Sequence, residues 1–302
     1  MVRHWDRVGC VTPVRAANVA SVKSPRLHGQ RVRENDLPSR ARRSSFRATL
    51  LGAALALVAV AMTACTSHAG AAAQVDDQKI ETATVSAIAD RGMAAYKAYA
   101  AAHPDVVAQR EAQQGPVTHY LVQRRALNTL IRLRLDEAKA HELGITLTSQ
   151  DFDAYYQALA VTQAGGIPAF EDAVGVLGFA PQDVRAQVHV DALESKIADR
   201  IAPDLVGSDA QAKSAYDALL AQFGVKSLPL SYAQLRSFLA HDIVMGTART
   251  DKVTPELVKV SRQLGVSVSP RFGTWSVDDL QVLAQSGSIA TTPTPVPQLS
   301  LS

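Results

Sequence analysis

The stretch VTHYLVQRRALNTLIRLRLDEAKAHEL, at positions 117–143 near the middle of the chain, carries a helical period. Its apolar side chains recur three, four and seven residues apart, which predicts an amphipathic α-helix. They are Val117, Leu121, Leu127, Leu130, Ile131 and Leu135. Gly144 follows directly and is a typical helix stop. The stretch therefore predicts one long helix, Val117–Leu143.

Helical patterns continue on both sides of this stretch. Before it, a helix is predicted over 82–102, which His103-Pro104 ends. After it, Thr148 and Asp151 have the spacing of a capping box, which opens a helix that ends at Gly165-Gly166. Further helices are predicted to begin at Pro168 and at Pro181 and to span Asp209–Phe223, Leu230–Ile243 and Pro255–Leu264.

Two short segments break the helical pattern. Ala73–Ile80 alternates about a polar Asp76-Asp77 turn, and Val266–Ser269 alternates between valine and serine. Two short strands are marginal in water by themselves, so they need helices that cover one face. We therefore expect Val266–Ser269 to pair with residues 74–80, so that the two ends of the folded part close one helical module.

The expected fold class follows from these patterns. It is mostly α, with one helical module at 74–276 and a small β pairing between the start and the end of the mature chain. Phe272 and Trp275 follow the second strand segment, and we expect them to pack on the same helices. Residues 286–302 are rich in Pro, Ser and Thr and are expected to be disordered.

Composition agrees with a helical fold and argues against nucleic acid as a partner. The chain is 47% hydrophobic but only 5% aromatic, which favours helices over strands. Of its 31 basic and 28 acidic residues, 11 and 3 lie in residues 1–64. The 20 basic and 25 acidic residues that remain give residues 65–302 a net charge of −5. An acidic body has no electrostatic basis for binding a phosphate backbone.

The N-terminal part has the features of a secretory signal. Residues 49–64 carry no charge over sixteen positions, and the basic segment 40–47 precedes them. Sixteen residues are short for a bilayer core, which needs about 20. The segment Met62-Thr-Ala-Cys65 resembles the bacterial lipobox, and this implies cleavage before Cys65 and lipid attachment to its thiol. The alternative is an uncleaved signal anchor with an incidental cysteine.

These features predict how the chain before the helical module is organised. We expect 1–64 to be a signal sequence with an over-long, disordered basic region, although a nucleic-acid-binding tail is an alternative for the segment 1–39. The segment 65–73 is expected to be a tether that holds the protein on the extracytoplasmic face of a membrane through the lipidated Cys65. Cleavage there removes Cys10, so the mature chain has no internal disulfide.

Signals for catalysis, cofactors and metals are weak. Six histidines lie between 65 and 302, and no two of them share a helical turn, so no zinc pair is predicted. They are His68, His103, His119, His141, His189 and His241, and we expect them to face solvent. The acidic pairs at 76–77, 171–172 and 278–279 suit turns or helix starts. No catalytic, cofactor-binding or metal-binding residue is therefore predicted.

Four arginines on the 117–143 helix allow two interpretations. In the first interpretation they form a patch for an anionic partner; they are Arg124, Arg125, Arg132 and Arg134. In the second they extend from a polar helix face into solvent, as long basic side chains more often do. We favour the second interpretation.

The order of these elements resembles the N-terminal domain of SurA-type chaperones, whose relatives include lipid-anchored PrsA-type foldases. The shared features are a strand segment after the lipobox, a long helix that ends at Gly144, and the helix start Leu147-Thr148-x-x-Asp151. The most specific feature is Val266-Ser-Val-Ser-Pro-Arg-Phe-Gly-Thr-Trp275. It is similar to the ending of actinobacterial lipoproteins in this group, which contains Asn-Pro-Arg-Tyr-Gly; Ser269 and Phe272 depart from it.

The resemblance implies a fold and a function. In that family the N-terminal helices and a returning C-terminal segment form one module that cradles unfolded chains on apolar surfaces. Many members insert a parvulin prolyl-isomerase domain, but the segment 204–265 is too short for that domain and has a helical pattern. We therefore expect a membrane-anchored protein that binds unfolded or exported polypeptides without catalysis. A scaffold lipoprotein with one fixed partner is the alternative, and a prolyl isomerase is third; the oligomeric state is left open.

Overall fold

The structure, a computed structural model, describes residues 70–284, and this range contains nine α-helices and five short strands. The helices are α1 (Thr82–Ala102), α2 (Pro104–Gln114), α3 (His119–Glu142), α4 (Ser149–Ala164), α5 (Ile167–Ala173), α6 (Pro181–Ile201), α7 (Asp209–Phe223), α8 (Tyr232–Phe238) and α9 (Gly246–Leu264). The strands are β1 (Ala71–Val75), β2 (Gln78–Glu81), β3 (Val266–Val268), β4 (Thr274–Ser276) and β5 (Gln281–Leu283). The mostly α fold is thus confirmed. No helix within 70–284 combines the length and apolar character needed to cross a bilayer.

The predicted pairing between the two ends of the module is confirmed. Strand β1 lies between β2 and β3 and is antiparallel to both. In the β1–β3 pair Ala73 lies opposite Val268, and Val75 lies opposite Val266. The turn between β1 and β2 places Asp76 at a φ of 55°, a left-handed conformation that aspartate tolerates better than most residues.

Helices cover this small sheet, as its stability requires. Val75 and Ile80 belong to a buried apolar cluster with Leu127 and Ile131 of α3. Phe272 and Trp275 lie in the same cluster, and the Trp275 indole Nε1 donates a hydrogen bond to Ser261 Oγ on α9 at 3.0 Å. The expectation that both aromatic residues pack on the helices is therefore confirmed.

Several predicted helix ends match the structure, because local signals set them. The Thr148–Asp151 capping box forms with both of its hydrogen bonds. Gly165 and Gly178 adopt positive φ at the ends of their helical segments. Pro181 stands in the first turn of α6. The long helix α3 starts two residues after its predicted start and ends at Glu142.

The predicted end of the first helix at His103-Pro104 is confirmed, one helix was not predicted, and two predicted helix starts were wrong. Pro104 ends α1 but also begins α2, because the first helical position needs no N–H donor. Pro255 does not begin the last helix but lies inside α9. A proline there costs about 3 kcal/mol, and the burial of Val253, Leu257 and Val260 offsets this cost at about 1.5–3 kcal/mol each. The predicted helix Leu230–Ile243 starts at Tyr232 and becomes a π-helix over Leu239–Val244.

The hairpin of β4 and β5 was not predicted. Each strand has three residues, which is too short for a pattern to be visible in the sequence. Trp275 lies opposite Val282, and both are buried in the cluster that contains the sheet of β1–β3. This hairpin places β5 against α3, where Asn128 Oδ1 accepts a hydrogen bond from Val282 N at 3.0 Å.

Candidate functional site

The helices α3 and α6 pack side by side, and polar side chains meet between them. Thr129 Oγ1 donates to Gln187 Oε1 at 2.7 Å, and three residues further along α3 the Arg132 guanidinium contacts Glu194 Oε1. The residue numbers of the partners on α6 increase together with those on α3, so the two helices run in the same direction. We call Thr129, Arg132, Asp136, Gln187, Asp191 and Glu194 the polar layer.

The polar layer holds more carboxylates than cations. The side chains of Arg132 and Glu194 are each only 12% exposed. Burial disfavours the charge on Arg132, but the nearby carboxylates of Glu194, Asp136 and Asp191 outweigh it and raise the pKa of Arg132. Arg132 is therefore a paired, internal cation. The favoured interpretation of the sequence, that Arg132 extends from a polar helix face into solvent, was therefore wrong.

Asp136 is the most isolated carboxyl group of the layer. The residue has no solvent exposure, and neither carboxylate oxygen has a hydrogen-bond partner. Burial first, and then the charge of Glu194, raises its pKa well above the usual value, against the opposing effect of Arg132. Burial therefore favours the protonated form of Asp136, whereas Arg132 favours the charged form.

A second polar group continues from α6 to the π-helix and α9. The Arg249 guanidinium donates to Ser195 O at 2.8 Å and to Asp199 Oδ1 at 2.7 Å. Asp199 Oδ1 also lies 2.9 Å from His241 Nδ1. Asp242 is buried beside them, and burial raises its pKa to about 6. These groups hold three elements together at the C-terminal end of α6.

At the first half of α3 the structure opens a cavity of about 120 Å³. Helix α3, helix α6, the segment after Gly178 and strand β5 supply its walls. The lining residues are Leu121, Arg124, Arg125, Asn128, Thr129, Phe179, Gln187, Gln281 and Val282. We call it the cationic pocket, because its charged lining residues are both arginines.

Within residues 70–284, no carboxylate forms an ion pair with Arg124 or Arg125. Arg125 Nη1 donates to a backbone carbonyl, Leu177 O, and the Arg124 guanidinium lies 5.5 Å from the centre of the Tyr120 ring. Burial first, and then the charges of Arg110 and Arg124, lowers the pKa of Arg125 to about 10. The pocket therefore carries positive charge that the protein itself leaves unneutralised.

A hydrogen-bond relay connects the pocket with the polar layer. Thr129 lines the pocket and donates to Gln187, whose Nε2 donates to Asp191 Oδ1 at 3.2 Å. Thr129 and Gln187 are both buried. Positive charge at the pocket and carboxylates in the layer thus lie at the two ends of one chain of buried polar groups.

The other candidate residues from the sequence do not form a site in the structure. Cys65 and His68 lie outside the described residues. His103 and His119 each bond a single carboxylate, Asp172 at 3.1 Å and Asp90 at 2.9 Å. No group of three potential metal ligands occurs among residues 70–284. Arg134 does lie exposed on α3, paired with Glu137 at 3.0 Å, as the favoured interpretation predicted.

The pocket was missed because its parts are far apart in sequence. Leu121, Gln187 and Val282 meet only when α6 and the β4–β5 hairpin pack against α3. One signal was present: Arg124 and Arg125 belong to the four arginines for which a patch for an anionic partner was the alternative to the favoured interpretation. Arg132, from the same patch, belongs to the sealed polar layer instead.

An apolar stripe of α7 packs against the core and continues into an exposed valine after the helix. Of this helix only Ala212 and Tyr216 are buried, whereas Leu219, Leu220 and Phe223 are partly buried against the core. Val225 follows with 42% exposure, and its N–H donates to Leu220 O at 3.1 Å, which keeps it beside the end of the helix. We call Leu219, Leu220, Phe223 and Val225 the α7 patch.

Comparison with protein-family models, curated proteins and solved structures finds no match for this chain. The chemistry of the site therefore rests on its own residues. The cationic pocket can attract and hydrogen-bond an anion, and Val225 presents one exposed apolar side chain at the end of the α7 patch.

Proposed function

We propose that residues 74–276 form an extracytoplasmic chaperone-like module that binds unfolded or exported polypeptides without catalysis. The observation that carries this proposal is the pairing of β1 with β3, since all nine helices of the described chain lie between these two strands in sequence. A module closed in this way is the architecture that the resemblance to SurA-type chaperones implies. Val225, at the end of the α7 patch, supports the proposal because it is exposed and a binder of unfolded chains needs accessible apolar side chains.

Anchoring belongs to the same proposal. Lipid on Cys65 holds the module on the outer face of a membrane, where exported chains emerge. Replacement of Cys65 by alanine is expected to abolish processing before residue 65 and fatty-acid labelling. Metabolic labelling with palmitate measures this, and label that persists in Cys65→Ala rejects the anchor.

The function is tested by suppression of aggregation. The full chain in lipid nanodiscs is expected to reduce light scattering from an unrelated unfolded protein, with empty nanodiscs as the blank. Val225→Asp is expected to weaken this effect by placing a charge at the exposed end of the α7 patch. Ala218→Asp is the matched control, because Ala218 is already exposed on α7. Scattering equal to the blank for the unchanged protein rejects the proposal.

Two other functions remain distinguishable. A scaffold lipoprotein would capture one folded partner and leave the aggregation of unrelated proteins unchanged. A prolyl isomerase would accelerate isomerisation of Xaa-Pro bonds above the spontaneous rate, whose timescale is tens to hundreds of seconds. We expect no acceleration, since no parvulin-like insert separates α6 from β3 in the sequence.

A further inference from the structure

The cationic pocket has hydrogen-bond donors that the protein leaves available. Arg124 lines the pocket, and no carboxylate among residues 70–284 pairs with its guanidinium. Asn128 uses its Oδ1 to accept from Val282 N, so the two hydrogens on its Nδ2 remain for another acceptor. A guanidinium and an amide group at one cavity wall favour an acceptor with at least two oxygen atoms.

The other walls of the cationic pocket are apolar. Leu121, Phe179 and Val282 line the same cavity with apolar groups. A strongly hydrated anion such as phosphate would leave some of its oxygen atoms against these apolar walls without hydrogen bonds. A carboxylate carried by an apolar group satisfies both kinds of wall.

The size and shape of the cationic pocket restrict the class of ligand further. A cavity of about 120 Å³ is close to the roughly 150 Å³ of an engineered cavity that holds benzene, which is enough for a carboxylate and a small apolar side chain. Two helices and a strand form its walls and one side stays open, so a chain end fits with its last residue inside and the rest of the chain leaving through the opening. The C-terminal residue of a polypeptide carries its carboxylate at such an end.

We propose that the cationic pocket binds the C-terminal carboxylate of a polypeptide that ends in an apolar residue, through Arg124, Arg125 and Asn128. This inference rests on the proposed function for the source of such chains, but the binding chemistry is a property of the pocket. The charge of Arg110 adds to the positive potential at Arg125. The hydrogen bond between Thr129 and Gln187 holds these two lining residues in place.

The test compares two labelled peptides that end in valine, one with a free carboxylate and one with a C-terminal amide. Fluorescence polarisation with the full chain in nanodiscs is expected to give at least tenfold tighter binding of the free acid, as loss of a charge-assisted bidentate contact implies. Isovalerate is expected to compete and inorganic phosphate at the same concentration is not. Equal affinity for acid and amide overturns the proposal, and so does competition by phosphate alone.

Two variants separate the pocket from general electrostatics. Arg124→Gln is expected to reduce the preference for the free acid at least tenfold, whereas Arg134→Gln, on the exposed face of the same helix, leaves it unchanged. Thermal unfolding of each variant shows whether it has folded. An unchanged preference in folded Arg124→Gln overturns the proposal.

The outcomes for the pocket and for the proposed function are independent. A preference for the free acid without any suppression of aggregation retains the pocket and rejects the chaperone. Suppression of aggregation with equal affinity for acid and amide retains the chaperone and rejects the pocket.

Discussion

Arg125 and Arg132 lie seven residues apart on one face of α3, yet their surroundings are opposite. Arg125 meets two other arginines and a carbonyl group, and its pKa is lowered to about 10. Arg132 meets three carboxylates, and its pKa is raised. The helix supplies the same side chain twice, and the packing partners make one a site residue and the other a structural one.

Removal of the C-terminal strands that pack on α3 is expected to cause the largest loss of stability. A chain that ends at Gly265 lacks β3, β4 and β5, and with them Phe272, Trp275 and Val282 of the apolar cluster. We expect a loss of at least about 5 kcal/mol, comparable with the whole stability of many domains. Thermal unfolding by circular dichroism measures it.

A chain that ends at Ala284 serves as the control for this truncation, because it keeps all five strands. Its unfolding midpoint is expected to match that of the full chain. If the chain that ends at Gly265 keeps the same midpoint as well, the module is not closed by its C-terminal segment.

The second effect concerns Arg132. Arg132→Leu leaves Glu194, Asp136 and Asp191 without their cation, and removal of one partner of a buried pair costs about 3–5 kcal/mol. Urea unfolding measures the change. The double variant Arg132→Leu/Glu194→Leu is expected to recover part of the loss, since it also removes the carboxylate that Arg132 contacts; a double variant no better than the single one shows that the effect is only packing.

A pH dependence follows from Asp242, beside the polar layer. Burial raises its folded pKa to about 6, against the lowering effects of a Ser195 hydrogen bond and of Arg249 and His241; Asp199 raises it. The folded state therefore holds this proton more tightly than the unfolded state, whose pKa is near 3.8. Stability is expected to fall by about 3 kcal/mol as pH rises from about 4 to about 6, and then to level off.

Asp242→Asn is expected to remove this part of the pH dependence. Urea unfolding at several pH values compares it with the unchanged protein. Asp136 acts in the same direction because its pKa is also raised, so some slope is expected to persist. An identical slope with and without Asp242 contradicts the assignment.

The smallest effect is expected at Arg125. Arg125→Met removes a hydrogen bond to Leu177 O but also the repulsion from Arg110 and Arg124, so stability should change by about 1 kcal/mol or less. Urea unfolding beside Arg132→Leu tests the comparison directly. A loss at Arg125 as large as that at Arg132 would show that both arginines are structural.

Much of the fold could be predicted because its signals are local. Thr148 and Asp151 form their capping box from residues three apart, and Gly165 ends a helix through its own backbone. Pro255 shows the limit of such signals: its local preference indicated a helix start, but burial along α9 keeps the helix continuous through it.

The period of α3, the helix ends and the two strand segments were readable from neighbouring residues, since each depends on spacing along the chain. The character of Arg125 and Arg132 was not, since α3 is the same amphipathic helix whichever residues face them. Their roles depend on the register of α6, which brings Glu194 to Arg132, and on strand β5, which closes a pocket over Arg124 and Arg125. Charge interactions act through space, so only the packed chain brings together the groups that decide them.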